Sequence, residues 1–300
     1  DVTSAIALQE SMNSADLSAY LRSKTTAELL QHFDGSRFGM YSYPTLVKDN
    51  IIIPDTDPYA LFKSGQYNQV PIITGTNRDE SKIFMAFDPE YVVGGLPLVI
   101  RDKNYYDLAA HYQSTLWRAR AVDEFAQVVS PISDELYTYR FDWDEEPKIV
   151  WNDVSELIGA SHFFEIPFVF GTPDIFPVKI ASTLVFSASS DTGRKILSDS
   201  MSSYWAAFAY NGDPGFGYNN SEPVNWSNWP NSVTNPDKDN IIKFDSINDG
   251  GIRMSSDITS IVRIQRELQQ ETGFSNDSQK CKTYKRTFGF DNWFHLNCEQ

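Results

Sequence analysis

The 300-residue sequence contains no apolar run that approaches the ~20 residues a transmembrane helix requires. It also has few basic residues for its acidic content, with 25 Lys and Arg against 40 Asp and Glu and a net charge of −15. Such a charge repels nucleic-acid backbones and anionic membrane surfaces. The composition therefore predicts a soluble protein or ectodomain that binds no nucleic acid and has no membrane span.

The sequence motifs of cofactor chemistry are missing as well. Neither G-x-G-x-x-G nor G-x-x-x-x-G-K-[ST] occurs, so the loops that hold the phosphates of dinucleotides and nucleotides are missing. There is no C-x-x-C or H-E-x-x-H pair, and the four histidines are poorly spaced for zinc. We therefore expect no metal and no organic cofactor.

Only two cysteines are present, Cys281 and Cys298, both in the last twenty residues. Their spacing is compatible with one local disulfide or with two free thiols. We expect the disulfide, which implies an oxidising compartment and hence a secreted or periplasmic location.

The sequence begins Asp1-Val2-Thr3, without an initiator methionine or a signal-peptide pattern. We expect it to be the inner part of a longer precursor, produced by processing, proteolysis or truncation.

Apolar and alternating segments predict strands at residues 70–75, 136–143 and 241–244, with helical patterns between them. This alternation is typical of the α/β class with a mostly parallel sheet. The remaining expectations are a helical first forty residues with a capping box at Thr25–Glu28, a helix around 196–208 ending at Gly212, and a final helix capped by Asp257. The acidic run 142–146 and residues 213–240 are expected to be surface loops.

Two positions are candidates for chemistry, and each follows a predicted strand. Asp79 and Glu80 come after the strand that ends at Gly75, and His162 comes after the next one. The carboxyl ends of strands carry functional groups in open α/β sheets. Alone, the acids could equally be helix-start residues and the histidine a structural one. Together they have the chain order of the last two members of a Ser…Asp/Glu…His triad.

Five segments, in order along the chain, resemble the carboxylesterase/cholinesterase (type-B carboxylesterase/lipase) family, and the closing stretch with Gly250–Met254 and the two cysteines resembles its bacterial secreted members. The five segments are Leu21–Lys24, Gly75–Glu80, His162–Gly171, Tyr204–Ala209, and Gly212–Pro214 followed by Trp229-Pro230. The resemblance implies that residues 1–300 are the C-terminal half of a single α/β-hydrolase domain, with 272–300 as a tail.

The resemblance also implies roles for individual residues. Glu80 becomes the triad acid and His162 the general base, while Glu165 makes a structural contact and Asp79 starts a helix. Substrate-binding residues are Ile83, Phe84 and Phe163. Ser81 and Phe163 depart from the family, which usually has glycine after both the catalytic Glu and the catalytic His, and Phe163 must reshape the pocket.

The family's nucleophile motif G-x-S-x-G and its Gly-rich oxyanion loop do not occur in the 300 residues. The resemblance places both in an N-terminal segment, so we expect that fragment of the same hydrolase as a partner. The expected function is hydrolysis of a small neutral ester by a serine carboxylesterase. The alternative is a non-catalytic, cholinesterase-like adhesion or binding module.

Overall fold

The computed structural model describes residues 2–33, 47–95, 98–149, 152–172, 185–186, 190–230 and 238–289. Contacts divide the chain into two compact units, residues 1–57 and 58–300. The expectation that residues 1–300 are the C-terminal half of a single α/β-hydrolase domain stays a prediction. None of the described helices combines the length and the apolar character that crossing a membrane requires.

The described part of the first unit contains three helices: α1 (Val2–Glu10), α2 (Ser14–Arg22) and α3 (Thr26–Leu30). The expected capping box is confirmed, because Thr25 Oγ1 accepts from Glu28 N while Glu28 Oε2 accepts from Thr25 N. The expected helical stretch is thus three short helices, and residues 34–40 lie outside the described residues.

The second unit contains the sheet and the larger helices. Its helices are α4 (Pro58–Lys63), α5 (Lys82–Met85), α6 (Lys103–Arg118), α7 (Glu124–Val129), α8 (Val154–Leu157), α9 (Ile166–Val169), α10 (Asp191–Asn211), α11 (Ile261–Gln270) and α12 (Asp277–Phe288). A π-helical turn (Ala119–Asp123) joins α6 to α7, and 3₁₀ turns span Tyr218–Asn220 and Ile247–Asp249. Its strands are β1 (Ile72–Asn77), β2 (Val92–Val93), β3 (Val99–Ile100), β4 (Leu136–Phe141), β5 (Lys148–Ile149), β6 (Asn152–Asp153), β7 (Ile241–Phe244) and β8 (Arg253–Ser255).

The central sheet has the strand order β1-β4-β7-β8. The first three strands are parallel, and β8 pairs antiparallel with β7. Side chains alternate along β4: Tyr137 and Phe141 pack in a cluster with α10, while Leu136 packs on the opposite side against α7. The expected α/β class with a mostly parallel sheet flanked by helices is confirmed.

Two tryptophans correct the expectation that residues 213–240 form only a surface loop. Trp226 and Trp229 are fully buried, one in each of the two clusters that flank the sheet. Trp226 Nε1 donates to the Thr138 carbonyl at 3.1 Å. The turn-forming residues around these tryptophans correctly indicate an irregular segment. The large apolar indole rings are nevertheless buried in the core.

The segment predicted as a tail, residues 272–300, contains α12, which packs Tyr284 and Phe288 against Tyr112 and Leu116 of α6. Cys281 is buried on this helix. Cys298 lies outside the described residues, so the disulfide stays a prediction.

Helix α11, which the sequence predicted as the final helix, begins later than expected, because Ser260 rather than Asp257 is its N-cap. Helix α12 follows it. Burial raises the pKa of Asp257, but Lys243 and Arg118 outweigh that effect and bring the pKa to about 2. The Asp257 carboxylate is therefore used in ion pairs rather than in capping.

Gly75 offers a test of the β1–β4 register. It lies opposite Tyr139, and a β-carbon on it would meet the tyrosine ring at 2.2 Å. We expect Gly75→Ala to lower the free energy of unfolding by about 3 kcal/mol, because the ring must leave its packed position. The control is Gly95→Ala, whose β-carbon would have no atom within 4 Å. Equal thermal unfolding midpoints for the two variants would contradict this register.

Candidate active site

Glu80 is held in the turn that follows β1. The strand ladder continues to Arg78, whose N–H donates to the Phe141 carbonyl. Glu80 is buried, and its Oε1 accepts from Asn77 N at 2.8 Å and from Thr76 Oγ1 at 3.1 Å. These two donors fix the carboxylate at the carboxyl end of the strand and leave Oε2 for another partner.

That partner is His162, which lies in the loop between α8 and α9. Its Nδ1 is 2.7 Å from Glu80 Oε2, and its side chain is 43% exposed. Because the carboxylate accepts, Nδ1 carries the proton and Nε2 remains free to accept one. The hydrogen bond to Glu80 raises the pKa of His162, although burial opposes the shift.

Further hydrogen bonds join the loop that contains His162 to the turn that contains Glu80. Asp79 N donates to Ala160 O at 2.9 Å, and Ala160 N donates to Asp79 Oδ2 at 3.2 Å. Asn77 Nδ2 donates to Ser161 O at 2.6 Å. Asp79 was expected to start a helix; instead its carboxylate contacts the histidine loop and pairs with Arg78 at 2.8 Å.

Glu165 lies near Glu80 and His162, but the carboxylate that contacts the imidazole is that of Glu80. Asn77 Nδ2 donates to Glu165 Oε2 at 2.5 Å, and burial raises the pKa of this carboxyl group. The negative charge of Glu165 also contributes to the raised pKa of His162. The position is compatible with the structural contact expected from the sequence.

Two aromatic rings flank the imidazole, and only one was expected. The Phe84 ring centroid lies 5.7 Å from that of His162, and the Trp117 centroid lies 4.9 Å from it. Ile83 instead packs against the main core cluster. Trp117 could have been found from the 106-110-114-117 stripe of α6, because Ser114 on this stripe contacts Ser81 at the start of α5.

Phe163 has an unusual backbone conformation for a non-glycine residue, with φ at +79°. The side chain is 46% exposed, so removing the ring loses little packing. A left-handed conformation costs an ordinary residue about 1–2 kcal/mol that glycine avoids. We expect Phe163→Gly to be about 1 kcal/mol more stable than Phe163→Ala in chemical unfolding. The alanine variant is the control for loss of the ring, and equal stabilities would contradict the strain.

The acidic run 142–146 was expected to be solvated, and this is wrong for both of its ends. Asp142 and Glu146 are buried with Trp143 between them. Arg140 pairs with Asp142 at 2.5 Å, whereas both carboxylate oxygens of Glu146 lack a hydrogen-bond partner among the described residues. Burial raises the pKa of Glu146 to about 8.

One acidic group among the described residues has the spacing of a cation site. Oxygens of Asp144, Asp245 and Asp249 lie within 4.8 Å of one another. Arg78 pairs with Asp144 at 2.6 Å, and Arg253 approaches Asp245 at 3.5 Å. These guanidinium groups already supply the positive charge that a metal would bring, so the group carries no metal assignment.

The chain matches the model of the carboxylesterase family over residues 101–258, which is just over half of its length. The chain therefore belongs to the carboxylesterase family, and its parallel sheet with flanking helices is a C-terminal part of the α/β-hydrolase fold.

Three curated relatives show how far the similarity extends. Mouse neuroligin-3 is 25% identical over 237 residues, which cover 68% of this chain and 28% of the relative. Cat carboxylesterase 5A is 26% identical over 230 residues, covering 67% and 40%. Para-nitrobenzyl esterase of Bacillus subtilis (strain 168) is 27% identical over 205 residues, covering 63% and 37%. The chain thus spans less than half the length of each of these relatives.

Proposed function

We propose that this chain is part of a serine carboxylic-ester hydrolase and supplies the acid and the base of its triad. The nucleophilic serine and the Gly-rich oxyanion loop are carried by a separate N-terminal chain. The observation that supports this most is the 2.7 Å contact between a buried carboxylate and a half-exposed imidazole. No cofactor is needed for the chemistry.

The geometry suits each half of the reaction. His162 Nε2 takes the proton of the serine hydroxyl as that oxygen attacks the ester carbonyl, and then gives the proton to the leaving alcohol. A covalent acyl-enzyme forms, and water hydrolyses it by the same proton route. Glu80 keeps the proton on Nδ1 and stabilises the imidazolium that forms in each step.

The edge of the sheet supports an N-terminal partner. Among the described residues, β1 has β4 as its only hydrogen-bonded neighbour. A pocket of about 610 Å³ adjoins β1 and is lined by Ile73, Tyr139, Trp205 and Phe208, among others. A further strand and apolar side chains fit this edge, and we propose an interface larger than the ~2,000 Å² of ordinary complexes.

We propose a secreted or periplasmic location, which depends on the predicted disulfide.

We further propose a neutral ester as substrate. Ile83, the third residue after Glu80, offers no aromatic face to a quaternary ammonium, and the pocket beside the imidazole contains Arg120 and Arg286. We expect kcat/KM for a neutral butyrate ester to exceed that for butyrylcholine at least tenfold. A clear preference for the choline ester would contradict this substrate class.

A second candidate is a non-catalytic binding module. The similarity to neuroligin-3, a relative not named as an esterase, favours it to the same degree that the two esterases favour catalysis. The intact Glu80–His162 contact favours the enzyme, because a binding surface does not need a histidine held in this tautomer.

The test is to purify residues 1–300 alone and again with a co-expressed family segment that contains G-x-S-x-G. Alone, the chain is expected to aggregate or to unfold without cooperativity, with no ester turnover. Together, the two pieces are expected to form a stable complex that hydrolyses the butyrate ester. A cooperatively unfolding monomer from the chain alone would contradict the two-piece arrangement, and an inactive complex would favour the binding module.

A further inference from the structure

A pocket of about 540 Å³ lies directly beside the catalytic imidazole. Phe84 and Trp117 line it, and these are the two rings that flank His162. Met85 and Leu116 extend the apolar wall. The volume lies within the ~300–1,000 Å³ typical of small-molecule sites. The pocket is therefore placed to hold a part of the ester that reacts at His162.

The charged side chains of the pocket do not balance. Arg286 pairs with Asp88 at 2.5 Å and lies over the Tyr91 ring. Arg120 also lines the pocket, and no carboxylate of the described residues lies within ion-pair distance of its guanidinium group. One positive charge is thus uncompensated in a protein whose net charge is −15.

The backbone explains why Arg120 reaches this pocket. It lies in the π-helical turn Ala119–Asp123, where the extra residue changes the direction of successive side chains. Arg118, two residues earlier, is buried in ion pairs with Asp123 and Asp257. The turn thus separates a structural arginine from one that is exposed and unpaired among the described residues.

We infer that this pocket binds the carboxylate of an ester whose acyl or alcohol chain ends in one, with Arg120 as the recognition residue. The inference rests on the proposed function and extends its substrate class from neutral esters to esters that carry a carboxylate, either half-esters of dicarboxylic acids or O-acyl hydroxy acids. The aliphatic part of such a molecule packs against Phe84 and Trp117, and its carboxylate accepts hydrogen bonds from the Arg120 guanidinium group.

Binding can be tested without catalysis, in the assembled protein with His162→Ala. Monoethyl adipate and ethyl 6-methylheptanoate have similar shapes, but only the first carries a carboxylate. We expect calorimetry to give a Kd roughly tenfold lower for monoethyl adipate. Arg120→Gln removes this preference, whereas the control Arg266→Gln, an exposed arginine of α11 outside the pocket, retains it.

Equal Kd values for the two esters, or a preference that survives Arg120→Gln, would overturn the inference. This outcome is distinct from failure of the proposed function, which would show as absent turnover in the protein that keeps His162. An O-acyl hydroxy acid, with the carboxylate on the alcohol side, serves as a second probe. Tighter binding of this probe than of monoethyl adipate places the leaving group in the pocket, and the reverse order places the acyl chain there.

Discussion

Replacing His162 with alanine is expected to lower kcat/KM for a neutral butyrate ester about 10³-fold or more. In the proposed mechanism the imidazole moves the proton in both halves of the reaction, and triad residues act as a unit. Glu80→Gln should cost less, because the amide keeps a contact with the ring but cannot stabilise the imidazolium. His111→Ala, at an exposed histidine of α6, is the matched control and should leave the rate unchanged.

The pH dependence gives an independent measurement of the same pair. Glu80 raises the pKa of His162, and only the neutral imidazole can accept the serine proton. Activity should therefore fall as the pH is lowered through the raised pKa, which lies above the ordinary 6.5. In Glu80→Gln this limb of the kcat/KM profile should move to lower pH. An unchanged limb, or normal kinetics in His162→Ala, would contradict the assignment.

The second large expected effect is a decrease in the free energy of unfolding as the pH rises, caused by Glu146. Glu146 is buried, and Asp144 and Asp79 add negative charge nearby, while Lys82 partly offsets them. Folding raises the pKa of Glu146 from 4.5 to about 8. Between these two pH values the folded protein keeps a proton on Glu146 that the unfolded chain has released. Stability should therefore decrease as the pH rises from about 4.5 to 8.

Glu146→Gln removes the ionisation, so it should stabilise the protein at pH 8 and have little effect near pH 4. Linkage sets the expected gain on the order of 3–5 kcal/mol at high pH. The control is Glu145→Gln, the neighbouring carboxylate that accepts from Ser246 Oγ at 2.6 Å. Urea unfolding at several pH values measures both variants. A gain that does not grow with pH would contradict the buried, unpartnered state of Glu146.

Sequence patterns identified the parts of the site that depend on chain order. Glu80 follows β1 and His162 follows β4, and parallel strands bring residues beyond their carboxyl ends to the same edge of the sheet. The residue types and their order were therefore enough to predict that an acid, Asp79 or Glu80, and an imidazole could meet, and the family resemblance was needed to select Glu80.

What the sequence did not predict depends on packing between distant segments. Trp117 lies 45 positions before His162 in sequence, and only the way α6 packs on the turn at Ser81 brings its ring to the imidazole. The sequence predicted that Glu146 belongs to a solvated acidic run. Charge patterns do not show which acidic side chains are buried beside a core residue such as Trp143.

Covalent labelling with a serine-directed phosphonate tests most directly whether this chain activates a serine supplied from outside it. In the assembled protein we expect one adduct, on the serine of a G-x-S-x-G motif beyond the 300 residues, and we expect labelling to be lost in His162→Ala. An adduct on a serine within residues 1–300, or labelling that proceeds equally without the imidazole, would contradict the proposed triad.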